Sequence, residues 1–406
     1  MSEIENYTLF KSGFENKDKL LKVCYSNDLR TSDPYDIWKT DIGVNVKNLF
    51  NKNRVLGFIP ATILTVWDHF FNNNVRLFYK KQEFPIVRAL AAMCLLNLYK
   101  AENKSEYLTT ARTHLNWLIK NASTGYSGFC WGANMNWASK NGIYEKGTPF
   151  ITHTPYALEA FIEYQKMIGN KEFDYVITSV YDFIINDLYK FIDTENMLCL
   201  SYAPINEPRR VINANSYALY SLSLLHSFFE DKSSLIQEDI LRIYNFIVSN
   251  QNEDGSWWYY ADNKKGNFID CFHSCFVLKN LIKASVIVTL PDSYEPIIEK
   301  GYNYILDNFY DESYGLFKRF SKTDKPSLVK FDLYDNAEML NLAYLKKDFK
   351  LYTSLKKNIE KFFIKEGEIY SIIDLFDIKR NKNMLRWAIM PYLYSLSKSF
   401  TIERTL

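Results

Sequence analysis

The sequence has no excess of charge of either sign. Its 406 residues include 49 Lys and Arg against 47 Asp and Glu, a formal net charge of +2, and no basic tract stands out. A protein that coats nucleic acid needs clustered cations to neutralise phosphates, so that class is excluded. No apolar run reaches the ~20 residues a membrane-spanning helix requires. The opening stretch, Met1 to Asn6, is acidic and runs into the Lys-rich segment from Lys11 to Lys22 without an apolar core. No secretory signal is expected, and the expected location is the cytoplasm. The six cysteines (Cys24, Cys94, Cys130, Cys199, Cys271 and Cys275) are scattered, which suits reduced thiols better than a disulfide framework.

Aromatic residues are abundant. Tyr, Phe and Trp make up 17% of the chain, with 30 Tyr, 29 Phe and 8 Trp. Tyrosine packs with its ring and binds with its hydroxyl, so it can wall a site for an amphipathic ligand such as a sugar.

Length alone favours two or three domains, but a repeat gives another answer. Apolar helix-opening segments recur about every 60 residues, marked by Cys94, Tyr156, Tyr217, Phe276, Glu338 and Tyr392; the steps from Tyr156 onward to Glu338 are 61, 59 and 62. Ahead of each lies an amphipathic helix, expected over Ile59 to Phe71, Glu106 to Lys120, Asp174 to Tyr189, Ser234 to Asn250, Tyr294 to Phe309 and Leu351 to Phe363. The marked helices, roughly Pro85 to Tyr99, Thr154 to Met167, Asn215 to Phe229, His273 to Ile287, Asn336 to Leu345 and Met384 to Phe400, are apolar around most of their circumference, as buried helices are. Six outer and six inner helices predict an all-α, (α/α)6 toroid over residues 56–406, each hairpin burying its apolar face on its neighbours. Residues 1–55, with one plausible helix over Lys17 to Asn27, are expected to pack on the toroid as an extension.

If every unit runs outer helix, long loop, inner helix, all six inner N-termini open onto one face. Those starts hold His153, Asn213, Asn215, Asp270, His273, Asp332, Asp335 and Arg386. The Asn and Asp residues can equally be helix caps, since their side chains accept from free N–H groups. His153 and His273 are poor caps, and each lies three positions before the aromatic marker (Tyr156, Phe276), so both are expected to point into the mouth. Imidazole titrates near neutrality and serves as acid or base. Asp270 and His273 stand three apart, a carboxylate that can orient an imidazole, and form the first choice for catalysis. Tyr156 and Tyr217 are further acid–base candidates, with Asp335 as a carboxyl candidate.

The long loops supply Trp131, Asn134, Asn136, Trp137, Arg209, Arg210, Trp257, Trp258, Tyr260 and Arg319. Aromatic faces with Asn and Arg between them suit sugar rings, and several rim arginines suit an anionic one. A metal is not expected. Cys271 and Cys275 share a helix face while His273 lies about 160° away, so the three cannot close a tetrahedral site.

Gln251 through Trp257 is similar to the Gln-x-x-x-Gly-x-Trp element of terpenoid-cyclase and prenyltransferase toroids, where it ties an outer helix to its neighbour. The likeness implies fold only, because the Asp-x-Asp-Asp acid and the aspartate-rich magnesium motif of those families are missing here. Residues 55 to 400 as a whole resemble the α/α-toroid carbohydrate-active proteins, in particular those of bacterial surface-polysaccharide synthesis and the toroidal domain of uronosyl C5-epimerases. That resemblance implies a glycan or sugar substrate, cofactor-free proton transfer on a uronic acid by an epimerase or lyase, and association with polysaccharide-synthesis enzymes. Two alternatives stay open: an inverting glycoside hydrolase using paired aspartates, and a non-catalytic glycan-binding toroid.

Overall fold

The computed structural model describes residues 13–139, 142–262, 266–291, 294–323 and 327–400. Six inner helices form a closed ring: α4 (Pro85–Glu102), α6 (Thr154–Ile168), α8 (Ile212–Leu225), α10 (Cys271–Ser285), α12 (Leu333–Leu345) and α14 (Met390–Ser397). Each packs on the next, and α14 returns to α4. Asn97 Nδ2 donates to Ser397 Oγ at 2.9 Å across the closing seam. Every residue of α8 is buried, which explains its apolar circumference: one side faces the ring interior and the other faces the outer layer.

Outside lie α1 (Gly13–Cys24), α5 (Ser105–Lys120), α7 (Asp174–Asp182), α9 (Ser233–Ser249), α11 (Tyr294–Phe309) and α13 (Phe349–Phe363). Their apolar stripes face inward, as in α9, where Ile236, Ile240, Ile243, Tyr244 and Ile247 are buried at helical spacing. Each such side chain contributes roughly 1.5–3 kcal/mol by leaving water.

The helix expected over Ile59 to Phe71 exists, as α3 (Arg54–Trp67), but it is not an outer helix. It pairs with α2 (Asp41–Lys52). The outer place beside α4 is taken by α1, whose Leu20 and Cys24 are fully buried and whose Cys24 carbonyl accepts from His114 Nε2 at 2.7 Å. The α2–α3 hairpin is thus an insertion in the first outer-to-inner connection, and it belongs to the same face as the other long loops.

Those loops carry short antiparallel pairs that the helical periodicity did not announce. Lys190–Asp193 pairs with Leu198–Leu200, and Glu368–Asp374 pairs with both Lys379–Lys382 and Val329–Asp332. Gln251 does tie the outer layer together, donating to Ile297 O of α11 and to Gly255 O, each at 3.0 Å. Trp257 Nε1 donates to Ile247 O at the end of α9 and its ring lies against Gly301, where a Cβ would sit 2.7 Å from Cζ3.

Candidate active site at the mouth of the ring

The connections bring the inner N-termini together as the repeat requires. Asp270 ends a two-residue strand paired with Phe320–Lys322, and Cys271 starts α10, so Asp270 and His273 meet across the first helical turn. His273 Nδ1 lies 2.8 Å from both Asp270 oxygens. Its ring is held between Phe272, 4.0 Å away, and Tyr259, 4.6 Å away. Asp270 is 2% exposed and His273 20%. With Nδ1–H donated to the carboxylate, Nε2 is the free nitrogen, and it has no protein partner among the described residues. A narrow cavity of about 10 Å³ at this imidazole is lined by Asn213, Trp257, Trp258, Tyr259, Phe268 and Asp270. Trp258 and Ile212 are shared with an adjoining hollow of about 240 Å³ that also includes Tyr260.

The neighbouring wall is a network of buried charge. Arg319 Nη1 donates to Asp332 at 2.6 Å, and Trp387 Nε1 reaches both oxygens of the same carboxylate at 3.0 and 2.9 Å. Asp332 also caps α12 by accepting from Tyr334 N at 2.8 Å, so both of its possible roles, cap and site wall, meet in one side chain. Burial raises its pKa, although Arg319 opposes that. Asp335 accepts from Phe272 N at 2.9 Å, while its Oδ2 is buried without a partner. Burial, with Asp332 and Asp270 nearby, holds its pKa well above the carboxylate range.

The N-terminal segment enters this face. Arg386 is ion-paired with Asp33, which Lys39 also approaches at 3.2 Å. Burial pushes Asp33 up, but the two cations prevail and hold it down at about 2. Tyr35 sets its ring edge-on against Trp387 at 5.1 Å. Arg386, expected to be free for a ligand, is therefore already engaged, and so is Arg319.

His153 stands at the start of α6 with its ring 5.3 Å from Phe150, which contacts Tyr202. Its Nδ1 is buried without a partner. Burial first, then the Arg386 charge, push its pKa down to about 3, so the ring is neutral near pH 7. Tyr156 and Tyr217 share a hydrogen bond of 2.7 Å one turn deeper. Both are buried, and burial raises both pKa values. Beneath them the axis is charged: Lys279 Nζ is 2.6 Å from Glu338 and 3.3 Å from the Tyr156 hydroxyl.

Other expected contacts are elsewhere. Trp131, fully buried, donates Nε1 to Leu118 O of α5 and serves as a wedge in the wall, whereas Trp257, bonded to Ile247 O, also lines the His273 cavity. Trp137 lies under Lys47, which is 3.3 Å from its ring. Asn134 and Asn136 are exposed, and Asn136 accepts from Lys146 N. Arg210 is paired with Asp262, and Arg209 with Glu207 and Tyr260. Asn215 is structural. It accepts from Leu200 N at 2.8 Å and donates to Val211 O at 2.9 Å, clamping a loop strand to α8 as Asn336 clamps Phe317 to α12. Asn213 is different, because its Oδ1 is buried, unpartnered and beside the His273 cavity.

Glu207 escaped the sequence reading. It is 8% exposed and bonded to the Tyr144 hydroxyl, in a loop with no periodic signal. Tyr35 and Asp33 escaped because the ends of such a segment carry no sign of where it folds. Cys271 and Cys275 are buried, and Cys275 lies against Met339 of α12. Among the described residues no helix is long and apolar enough to cross a membrane.

No family model matches the sequence, and no curated protein does. Solved structures do match. A cellobiose 2-epimerase from Bacillus thermoamylovorans has a TM-score of 0.63 at 14% identity, covering 79% of this chain and 88% of that one. A sugar epimerase from a ruminal bacterium gives 0.60 at 15% identity, over 81% and 90%. A GH76 α-mannanase from Bacteroides thetaiotaomicron gives 0.58 at 12% identity, over 92% and 99%. The chain therefore has the α/α-toroid fold on which these carbohydrate-active enzymes are built.

Proposed function

We propose that the protein is a sugar epimerase or isomerase that moves a proton at a carbon next to a carbonyl. The observation that carries this is the Asp270–His273 pair, whose Nε2 is left free beside a cavity. In this reading His273 Nε2 takes the proton to leave an enediolate, Asp270 stabilises the imidazolium through Nδ1, the imidazolium returns the proton to the other face of that carbon or to its neighbour, and the buried, unpartnered Asn213 Oδ1 receives a sugar hydroxyl. A positioned acid–base group contributes on the order of 10²–10⁴ in rate. The enzymes of the same fold whose chemistry is epimerisation support the reading.

Hydrolysis is less well supplied. It needs two carboxyl groups reaching the scissile bond, whereas Asp332 and Asp335 are fully buried and Asp332 is saturated with donors. A neutral sugar is favoured over a uronic acid because Arg319, Arg386, Arg209 and Arg210 each already hold a carboxylate. For a uronic acid C5-epimerase or lyase of surface-polysaccharide synthesis, one of these arginines would exchange its partner for the substrate.

The test is incubation with neutral aldoses, reducing disaccharides and uronic-acid polysaccharides, with products read by NMR. Epimerised or isomerised sugar without new reducing ends supports the proposal. Release of new reducing ends, or no product from any member, refutes it.

A further inference from the structure

The least protected surface of the molecule is apolar and lies in the α2–α3 insertion. From Val55 to Trp67 the chain has no charged residue. In α3 only Gly57 is buried; it meets Phe50 of α2 so closely that a Cβ would fall 2.3 Å from the Phe50 Cα. The remaining faces are open. Val55 is 83% exposed, Ile59 66%, Ile63 60% and Val66 40%. At steps of four, four and three these residues share one stripe. Phe70 extends the stripe and contacts Phe376, itself 65% exposed, and Phe78 beyond the helix is 85% exposed. A monomer's largest apolar patch is ordinarily ~300–600 Å², and the seven side chains named here, at about 100 Å² each, put this one at or above the top of that range.

The hairpin is fixed to the ring. Asn51 Nδ2 donates to Ser139 O at 2.6 Å, and Asn73 Nδ2 donates to Asn381 at 2.7 Å. The patch is therefore a standing feature of the mouth side.

Charge chooses the occupant. Lys52 and Arg54 at the start of α3, and Lys80 and Lys81 just after the exposed Phe78, are exposed and have no ion-pair partner among the described residues, in contrast to Arg76 with Asp36 and Arg380 with Asp374. Asp41 and Asp68 are the carboxylates of this stretch without an ion pair among the described residues, and Asp68 accepts from the Tyr79 hydroxyl. The patch area falls a little short of the ~800 Å² per partner a standard dimer buries, and a symmetric pair would bring two basic rims together. An anionic lipid surface meets both needs, accepting the apolar stripe between its acyl chains and pairing the rim with its headgroups. The 14 residues of α3 span roughly 21 Å, too short to cross ~30 Å of hydrocarbon, so the helix would lie in the plane.

We propose that the α2–α3 hairpin docks this protein on an anionic membrane surface through the α3 stripe and its Lys/Arg rim, with the mouth side toward the lipid. This inference does not depend on the reaction proposed above. The test is co-sedimentation of the full chain with phosphatidylglycerol/phosphatidylcholine vesicles and with pure phosphatidylcholine vesicles, at low and high salt. The expected result is pelleting with the anionic vesicles that weakens in salt. It should fall at least ten-fold for Ile59→Glu with Ile63→Glu, and for Lys80→Glu with Lys81→Glu. Because these side chains are exposed, circular dichroism and thermal melting of the variants should match the parent. Failure to pellet, or pelleting unaltered by the substitutions, overturns the proposal. So does a dimer in sedimentation equilibrium that the Ile59/Ile63 change dissociates, which would assign the patch to a second copy.

Discussion

His273 Nδ1 stands 2.8 Å from each oxygen of Asp270, three residues earlier in the chain. The contact sets the tautomer, and it leaves Nε2 as the one ring nitrogen turned to the cavity. Asp270→Asn keeps the shape but removes the charge that stabilises the imidazolium. Sugar turnover should fall by about 10²-fold or more while the melting temperature changes little. The comparison is made by kcat for the variant against the parent on the substrate identified by the product screen.

Lys279 and Glu338 form a buried ion pair on the ring axis. Removing one partner strands a charge, so Lys279→Met should cost about 3–5 kcal/mol. The double change Lys279→Met with Glu338→Leu should recover most of that loss, since a buried pair contributes little over an apolar pair of similar volume. Chemical denaturation of the single and double variants measures the difference.

Lys398 gives a pH signature. Burial, then Lys283 nearby, push its pKa from 10.5 to about 7. Between those values the unfolded chain binds the proton that the folded chain refuses, so stability from this group rises with pH across that window and its cost is fully present below it. Lys398→Met should therefore stabilise the protein most near pH 7, and the advantage should shrink toward pH 10 by about 1.4 kcal/mol per unit. Denaturant midpoints of both proteins across that range show it.

Gly301→Ala places a methyl 2.7 Å from Trp257 Cζ3 and 2.9 Å from Leu278 Cδ2. Overpacking of this kind costs about 1–3 kcal/mol. A lowered melting temperature is expected, because Trp257 joins α9 to α11 and its ring cannot move away from Gly301 without loosening that join.

The ring was legible because each inner helix must be apolar on all sides, and that demand prints a 60-residue period that no tertiary contact can hide. Asp270 and His273 were legible for a local reason, since three positions at a helix start settle their proximity. The outer-helix assignment of α3 failed because an apolar helix on a surface and one against a core have the same periodicity; only the packing of α1 on α4 distinguishes them. Trp131 looks like a sugar platform by composition, and its burial depends on a carbonyl of α5 that the sequence does not place. The engagement of Arg386 and Arg210 is hidden in the sequence because their carboxylates, Asp33 and Asp262, lie 353 and 52 positions away along the chain.

The most direct measurement is hydrogen exchange at the sugar carbon, read by NMR in deuterated water for the parent and for His273→Gln. Proton transfer through His273 predicts deuterium at the carbon next to the carbonyl with the parent and at least a hundred-fold slower uptake with the variant. Equal uptake by the two proteins, or turnover without any uptake, would contradict it.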